Sequence, residues 1–414
     1  MPGQGLDQRI IILNKEDMLL PMKESKRKRY CQGLFAFLVI AITLSGLLRT
    51  AFWPKDVNTY ESRNANKPAA FTVGNYLSGV FQDSMEKALA DQVPFAQYFK
   101  KVFNILRFQY YRFMLLPKAE RHPELCFHYK GIGLIDGYMV HKPADLSENI
   151  EIMLSLAHKR ADDMRACREI NPETEYYLFY IESDRDYDFE TAEKKDTYGF
   201  ITENMEIPAD RTGRLCVDNL EDYKKIYFKT DHHWNCYGAY EGYRGLMTLL
   251  GVEEKLLEPV ETASNPLWWA GSKAAEVGFR EYKEPFPICR YEYPPMEVFI
   301  NGSPSNMLEP QEAFFSGEID SISYGDYYGG IEGEVILDTN RPERKNILLL
   351  GDSFDNAIRK LVASHFNKTF SVDERTYEED RGEPFILAEY VRKNDIDIVV
   401  YDGDILAFSG DAFL

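Results

Sequence analysis

Two short stretches of this 414-residue chain hold residue types that could act as acid, base and nucleophile. In TDHHWN (230–235), Asp231 precedes His233 by two positions. On an extended backbone such a pair leaves the same face, so the carboxylate can orient the imidazole. The run before it, IYFKT, reads as a short strand, and the small-residue stretch after it (236–250) as a helix. In GDSF (351–354), Ser353 follows the apolar run NILLL. A serine on a strand-to-helix turn is well placed as a nucleophile. Serine needs an adjacent base, and imidazole has the near-neutral basicity to take and return one proton. Together these stretches spell a nucleophile, Ser353, a base, His233, and an orienting acid, Asp231. Trp234 is expected to shield one side of the pocket. The Ser353 amide ahead of a helix would serve as an oxyanion donor. Asn356 and the Gly325 or Gly329 amides are candidates for a second. Tyr324 opens a Tyr/Gly-rich segment that could line a carbohydrate groove, although packed tyrosines between turn glycines are the expected reading.

Other chemistries compete for the same residues. Asp231, His232 and His233 are potential metal ligands, yet alternating faces make three neighbours an awkward cage, and no metal is expected. A purely structural role for DHHW also stays open. Asp184, Asp186 and Asp188 alternate like a calcium loop but lack its glycine and its twelfth-position Glu, so a solvated loop is expected. His158 is read as a surface or packing residue. The six cysteines match no disulfide framework or zinc spacing, and most are expected to be buried fillers.

Positioning these residues calls for an α/β frame. Residues 146–170 have helical periodicity, and YYLFYIES (176–183) reads as a buried strand. Near the C-terminus, NILLL, the helix after GDSF, KTFSVDE, PFILAEYVRKN and DIDIVVYDGD alternate strand and helix, which predicts a parallel sheet with sites beyond its strand C-termini. Residues 251–340, rich in Pro, Gly and aromatics, read as an insertion of short strands and loops. Residues 76–113 predict two amphipathic helices broken at Pro94, with their aromatic face expected as a core seam.

The formal net charge is −19, and residues 1–49 contribute +4 from eight bases and four acids, leaving about −23 elsewhere. So acidic a body argues against nucleic acid as a partner. A basic block around Lys26–Arg29 precedes 18 uncharged residues (31–48). The expected arrangement is a cytoplasmic tail (1–30), a transmembrane anchor (31–49), a linker (50–75) and an extracytoplasmic catalytic domain (76–414). A cleaved signal peptide is the competing reading, disfavoured by the lack of an A-x-A site.

TDHHWN followed by GAYEGY, with ILLLGDSF about 120 residues later, resembles the bacterial DHHW proteins, relatives of AlgJ and AlgX among SGNH-hydrolase-like proteins. The resemblance covers residues 75–414 and the N-terminal anchor. It implies a three-layer α/β/α domain with a parallel central sheet, and a Ser–His–Asp site with the D-x-H pair ahead of the serine. It also implies O-acetyl transfer to hydroxyls of an exported or cell-surface polysaccharide, without a cofactor, beside a membrane-bound O-acyltransferase that supplies the acyl group. A carbohydrate O-acetyl esterase and an anchored, non-catalytic glycan-binding scaffold are the alternatives. The chain departs from relatives at YDGD (401–404), where many carry a Glu-containing segment.

Overall fold

A computed structural model describes residues 15–58, 63–122, 124–145, 150–306 and 322–409. Parts of the expected tail, linker, first α/β helix and insertion (1–14, 59–62, 146–149, 307–321) lie outside the described residues. The chain forms two compact units, residues 1–106 and 107–414.

The N-terminal unit is helical. Helix α1, Lys15–Phe52, runs through the apolar block. Its 25-residue stretch Lys28–Phe52 is long and apolar enough to cross a membrane, and almost none of it is buried. Gly46 lies against Leu89 of helix α2, Val80–Gln92, and against Val93, the residue that caps it. Helix α3, Ala96–Met114, begins in this unit and ends in the next. Only Phe108 and Tyr111 of α3 are buried, where they meet Phe279 and Tyr282. Tyr98, Phe99, Phe103, Leu106, Tyr110 and Phe113 are exposed, so the expected core seam is mostly an open aromatic face.

The second unit is built on an eight-stranded sheet. Its strands are β1 (Glu175–Ile181), β2 (Thr212–Leu215), β3 (Glu297–Ile300), β4 (Ser303–Pro304), β5 (Glu334–Asp338), β6 (Ile347–Leu350), β7 (Lys368–Val372) and β8 (Ile398–Gly403). Their order is β4-β3-β5-β7-β6-β8-β1-β2. The five from β7 to β2 are parallel, whereas β5, β3 and β4 extend the sheet antiparallel. The sheet is thus mixed where a parallel one was expected. The supposed insertion lends it three strands.

Every residue of β6 and β8 is buried, as continuous apolar runs covered on both faces require. Ile347, Leu349 and Val400 pack with helices α5 (Cys236–Leu249) and α6 (Asp355–Ala363). The alternating Leu348, Leu350 and Val399 pack with α4 (Ile150–Ile170), α7 (Leu387–Lys393) and α8 (Ile405–Ser409). From β6 the chain reaches β7 on one side, then returns past β6 to β8 on the other. This reversal leaves a crevice beyond the strand ends, the usual place for a site in such sheets. Ser353 lies there.

Candidate active site

The expected strand IYFKT does not form, since Ile226 ends the helix Leu220–Ile226. The DHHW segment after it is a bend where an extended backbone was expected. Tyr227 and Trp234 form an isolated antiparallel bridge, and the intervening residues loop out. The i, i+2 relation survives for a different reason. Asp231 Oδ1 accepts the His233 amide at 2.9 Å and faces His233 Nδ1 at 2.6 Å. A short carboxylate side chain closing on the amide two residues on is a local turn device. Asn235 then caps α5, accepting from the Tyr237 and Gly238 amides at 2.9 and 3.0 Å.

On its other side, His233 Nε2 lies 2.7 Å from Ser353 Oγ. The structure therefore joins Asp231, His233 and Ser353 in one hydrogen-bonded chain across 120 residues of sequence. Asp231 and His233 are buried and Ser353 is half-buried. Burial opposes ionisation of Asp231, but the charge and hydrogen bond of His233, then His232 and the Ser272 amide, hold it well below the usual carboxylate range. Tyr324 stacks on the His233 ring, with centroids 3.8 Å apart and planes 7° from parallel. Its hydroxyl accepts from Trp234 Nε1 at 3.2 Å.

The remaining expected site residues divide. Trp234 is fully buried. It is a core residue under the loop, in space left by Gly242, where a Cβ would lie 2.3 Å from the indole. Asn356 spends its amide on the Gly329 and Gly330 carbonyls, at 3.0 and 3.2 Å. The Gly329 amide donates to Gly325 O at 2.9 Å. As placed, neither group is free to bind an oxyanion. Both hold the turn carrying Tyr324, whose neighbours Tyr327 and Tyr328 are also buried, so packing accounts for this segment. Gly325 lies inside the short helix Tyr324–Tyr328. His158 is exposed and meets Asn204 at 3.1 Å. Asp184 and Asp186 are buried, contrary to the solvated loop expected. Asp184 meets Lys273 and accepts the His141 amide, while Asp186 accepts from the Tyr180 hydroxyl at 2.6 Å. The thiols of Cys236 and Cys289 face each other, buried, 2.7 Å apart.

Several supports escape sequence reasoning. Ser272 donates its amide to Asp231 Oδ2 at 2.6 Å, and its hydroxyl meets His232 Nδ1 at 2.6 Å. A Cβ on Gly271 would lie 2.3 Å from that of Asp231. Glu284 accepts from the Lys229 amide at 2.7 Å and from the Thr230 amide and hydroxyl, each at 2.6 Å. These three residues belong to a segment built on the hairpin Glu261–Trp269/Glu284–Arg290. Beneath Ser353, a Cβ on Gly351 would meet Asp402 Oδ1 at 2.4 Å and Asp355 Oδ1 at 2.7 Å.

Asp231, His232 and His233 also bring one donor atom each within 4.8 Å. In this arrangement, however, both His233 nitrogens already face partners, Asp231 and Ser353.

No family model matches the sequence, and no curated protein is similar to it. Solved structures are similar. PatB1 from Bacillus cereus, solved with a sulfonyl adduct, aligns at a TM-score of 0.51 and 20% identity, over 68% of this chain and 95% of that one. A DHHW family protein from Eubacterium siraeum aligns at 0.50 and 16% identity, over 69% of this chain and 94% of that one. The O-acetyltransferase domain of Pseudomonas putida AlgJ aligns more loosely, at 0.38 and 10% identity, over 69% and 94%. At such identities the first two likenesses speak for a shared fold.

Proposed function

We propose that the chain is a DHHW protein with the three-layer SGNH-like arrangement, held at a membrane by α1, and that it transfers acyl groups to hydroxyls of a polysaccharide outside the cytoplasm. The observation that carries this reading is the continuous chain Asp231–His233–Ser353, with links of 2.6 and 2.7 Å. Ser353 Oγ attacks the carbonyl of an acyl donor while His233 Nε2 takes its proton. Collapse of the tetrahedral adduct expels the donor's leaving group, which recovers the proton. The acyl-serine is then attacked by a sugar hydroxyl, again deprotonated by His233, and the product ester leaves as Ser353 regains its proton. Asp231 stays ionised throughout and stabilises the imidazolium. The Ser353 amide ahead of α6 is the proposed oxyanion donor.

Anchoring is supported by α3 as well as by α1. Helix α3 carries four bases and no acid in a chain of net charge −19. Its exposed aromatics suit the boundary between lipid headgroups and acyl chains. A membrane-bound O-acyltransferase is the proposed acyl source.

The test is intact mass of the full chain in detergent after brief exposure to an activated acetyl ester. A gain of about 42 Da that is absent from Ser353→Ala places the nucleophile. An aryl sulfonyl fluoride should label the same residue. Adding candidate glycans separates transfer from hydrolysis, since water as acceptor makes the protein an esterase. If a folded sample gives neither adduct nor turnover, the catalytic reading fails in favour of a glycan-binding scaffold.

A further inference from the structure

A second cluster of metal-binding side chains lies apart from the triad and shares no residue with it. We propose that Cys126, His128 and Glu190 form a zinc site that clips the strand Phe127–Tyr129 to the hairpin Tyr187–Asp188/Glu193–Lys194. Each residue offers one ligand atom, and the three atoms lie within 4.8 Å of one another. That span is about twice a metal–ligand bond of roughly 2.0–2.3 Å, so one ion can touch all three after small side-chain rotations.

The local fold explains why they converge. Cys126 immediately precedes the strand and His128 lies within it, two positions on, so both leave the same face. His128 pairs with Gly133 on the neighbouring strand Ile132–Ile135. A Cβ at Gly133 would lie 2.5 Å from Cys126 Sγ and 3.5 Å from His128 Cε1. The glycine is therefore what leaves room for the sulfur to sit over the sheet beside the imidazole. Glu190 arrives from across the gap, with its carboxylate 2.7 Å from His128 Nε2. Its position is set by Asp188, which accepts the Glu190 and Thr191 amides at 2.9 and 3.3 Å. Cys126 is half-buried while His128 and Glu190 are open. All three border a recess of about 540 Å³, which leaves space for a fourth ligand such as water. His141 borders the same recess, but its ring faces Asp184 at 3.2 Å and Glu276 at 3.5 Å, so it belongs to the buried Asp184–Lys273 network.

One sulfur, one imidazole nitrogen and one carboxylate oxygen make a borderline-soft set. It suits Zn²⁺, and Co²⁺ as its spectroscopic substitute, and suits Ca²⁺ or Mg²⁺ poorly. Three protein ligands leave the fourth position open. The consequence closest at hand is mechanical, because the ion would tie the hairpin that follows Asp184 and Asp186 to the three-stranded sheet Phe127–Val140.

The test uses the full chain in detergent, free of any polyhistidine tag and stripped with a chelator. After one equivalent of Zn²⁺ and desalting, the metal content should be close to one per chain. Co²⁺ should give tetrahedral visible bands and a near-ultraviolet thiolate-to-cobalt band. Cys126→Ser should remove the thiolate band, and Glu190→Gln, a change at an exposed side chain, should weaken binding at least tenfold with the fold unchanged by circular dichroism. Asp231, His232 and His233 could also capture the ion, so His233→Ala is the control and should bind as the wild type does. Zinc retention unchanged by both Cys126→Ser and Glu190→Gln, or lost in His233→Ala, would overturn the proposal. So would the absence of stoichiometric binding by the wild type. Failure here leaves the acyl-transfer reading untouched, because none of these measurements depends on turnover.

Discussion

Asp231 divides its two oxygens between jobs. Oδ1 holds His233, and Oδ2 takes the Ser272 amide. An Asn there would present an NH₂ to one of two donors. Asp231→Asn is thus expected to cost about 10⁴ in rate, as in the best-studied protease triad, with an unchanged fold. Turnover of an acetyl ester checks it, and a wild-type rate removes Asp231 from the mechanism. Gly271→Ala drives a Cβ into Asp231 and should lose most of the activity. Ser272→Ala keeps the amide and loses only the hydroxyl contact to His232, so its rate should fall by less than about tenfold. D-x-H and GDS were legible because their chemistry lies in side-chain type and short spacing. Ser272 was not, because its contribution to Asp231 is a backbone amide 41 positions away, and any residue type carries one.

At the scale of elements, the DHHW loop has no ladder of its own and is held from outside. Glu284, reaching in from the hairpin, is the main fastening. Burial pushes its carboxyl up to about 7, against the hydrogen bonds from Thr230 and Lys229 that favour the charge. Glu284→Ala strands two backbone donors and should lower stability by about 1–3 kcal/mol per orphaned group. Denaturant unfolding would show it, and a midpoint unmoved from wild type would mean that the loop is held by something else. The apolar strands β1, β6 and β8 were readable as uninterrupted hydrophobic runs. Strands β3 and β5 were not, because they are short and lie among the prolines and glycines of a stretch that reads as loop. The aromatic face of α3 misled for a related reason, since periodicity reveals an apolar stripe without saying what covers it.

Across the whole molecule, carboxyls gather beneath the sheet's C-terminal edge. Neither oxygen of Asp402 meets a protein hydrogen-bond donor among the described residues. Burial raises its carboxyl to about 7, and burial raises Asp404 to about 7 as well. Asp355, beside Asp402, is raised well above the carboxylate range by burial and by the charge of Asp402. A carboxyl whose pKa rises on folding keeps its proton better in the native state. Its contribution is therefore full below about pH 4 and is lost as pH climbs through about 7. Asp231 acts in the opposite sense, but only at the acid end, where falling pH protonates it. The expected result is a melting temperature that declines between about pH 4 and 7, with a shallower decline in Asp402→Asn. Equal slopes in the two proteins would show that Asp402 does not carry the effect.

The order of residues along the chain has a further consequence. A polypeptide is synthesised N-terminus first, so Asp231 and His233 are made well before Ser353, 120 residues behind His233. Even then the serine has no fixed place. Its strand, β6, is hydrogen-bonded between β7 and β8, which follow it in the chain. The turn that presents Ser353 can form only when these later strands are delivered. Folding thus ends with the step that brings Ser353 to His233, and a stalled or truncated chain would carry the Asp231–His233 pair without its partner.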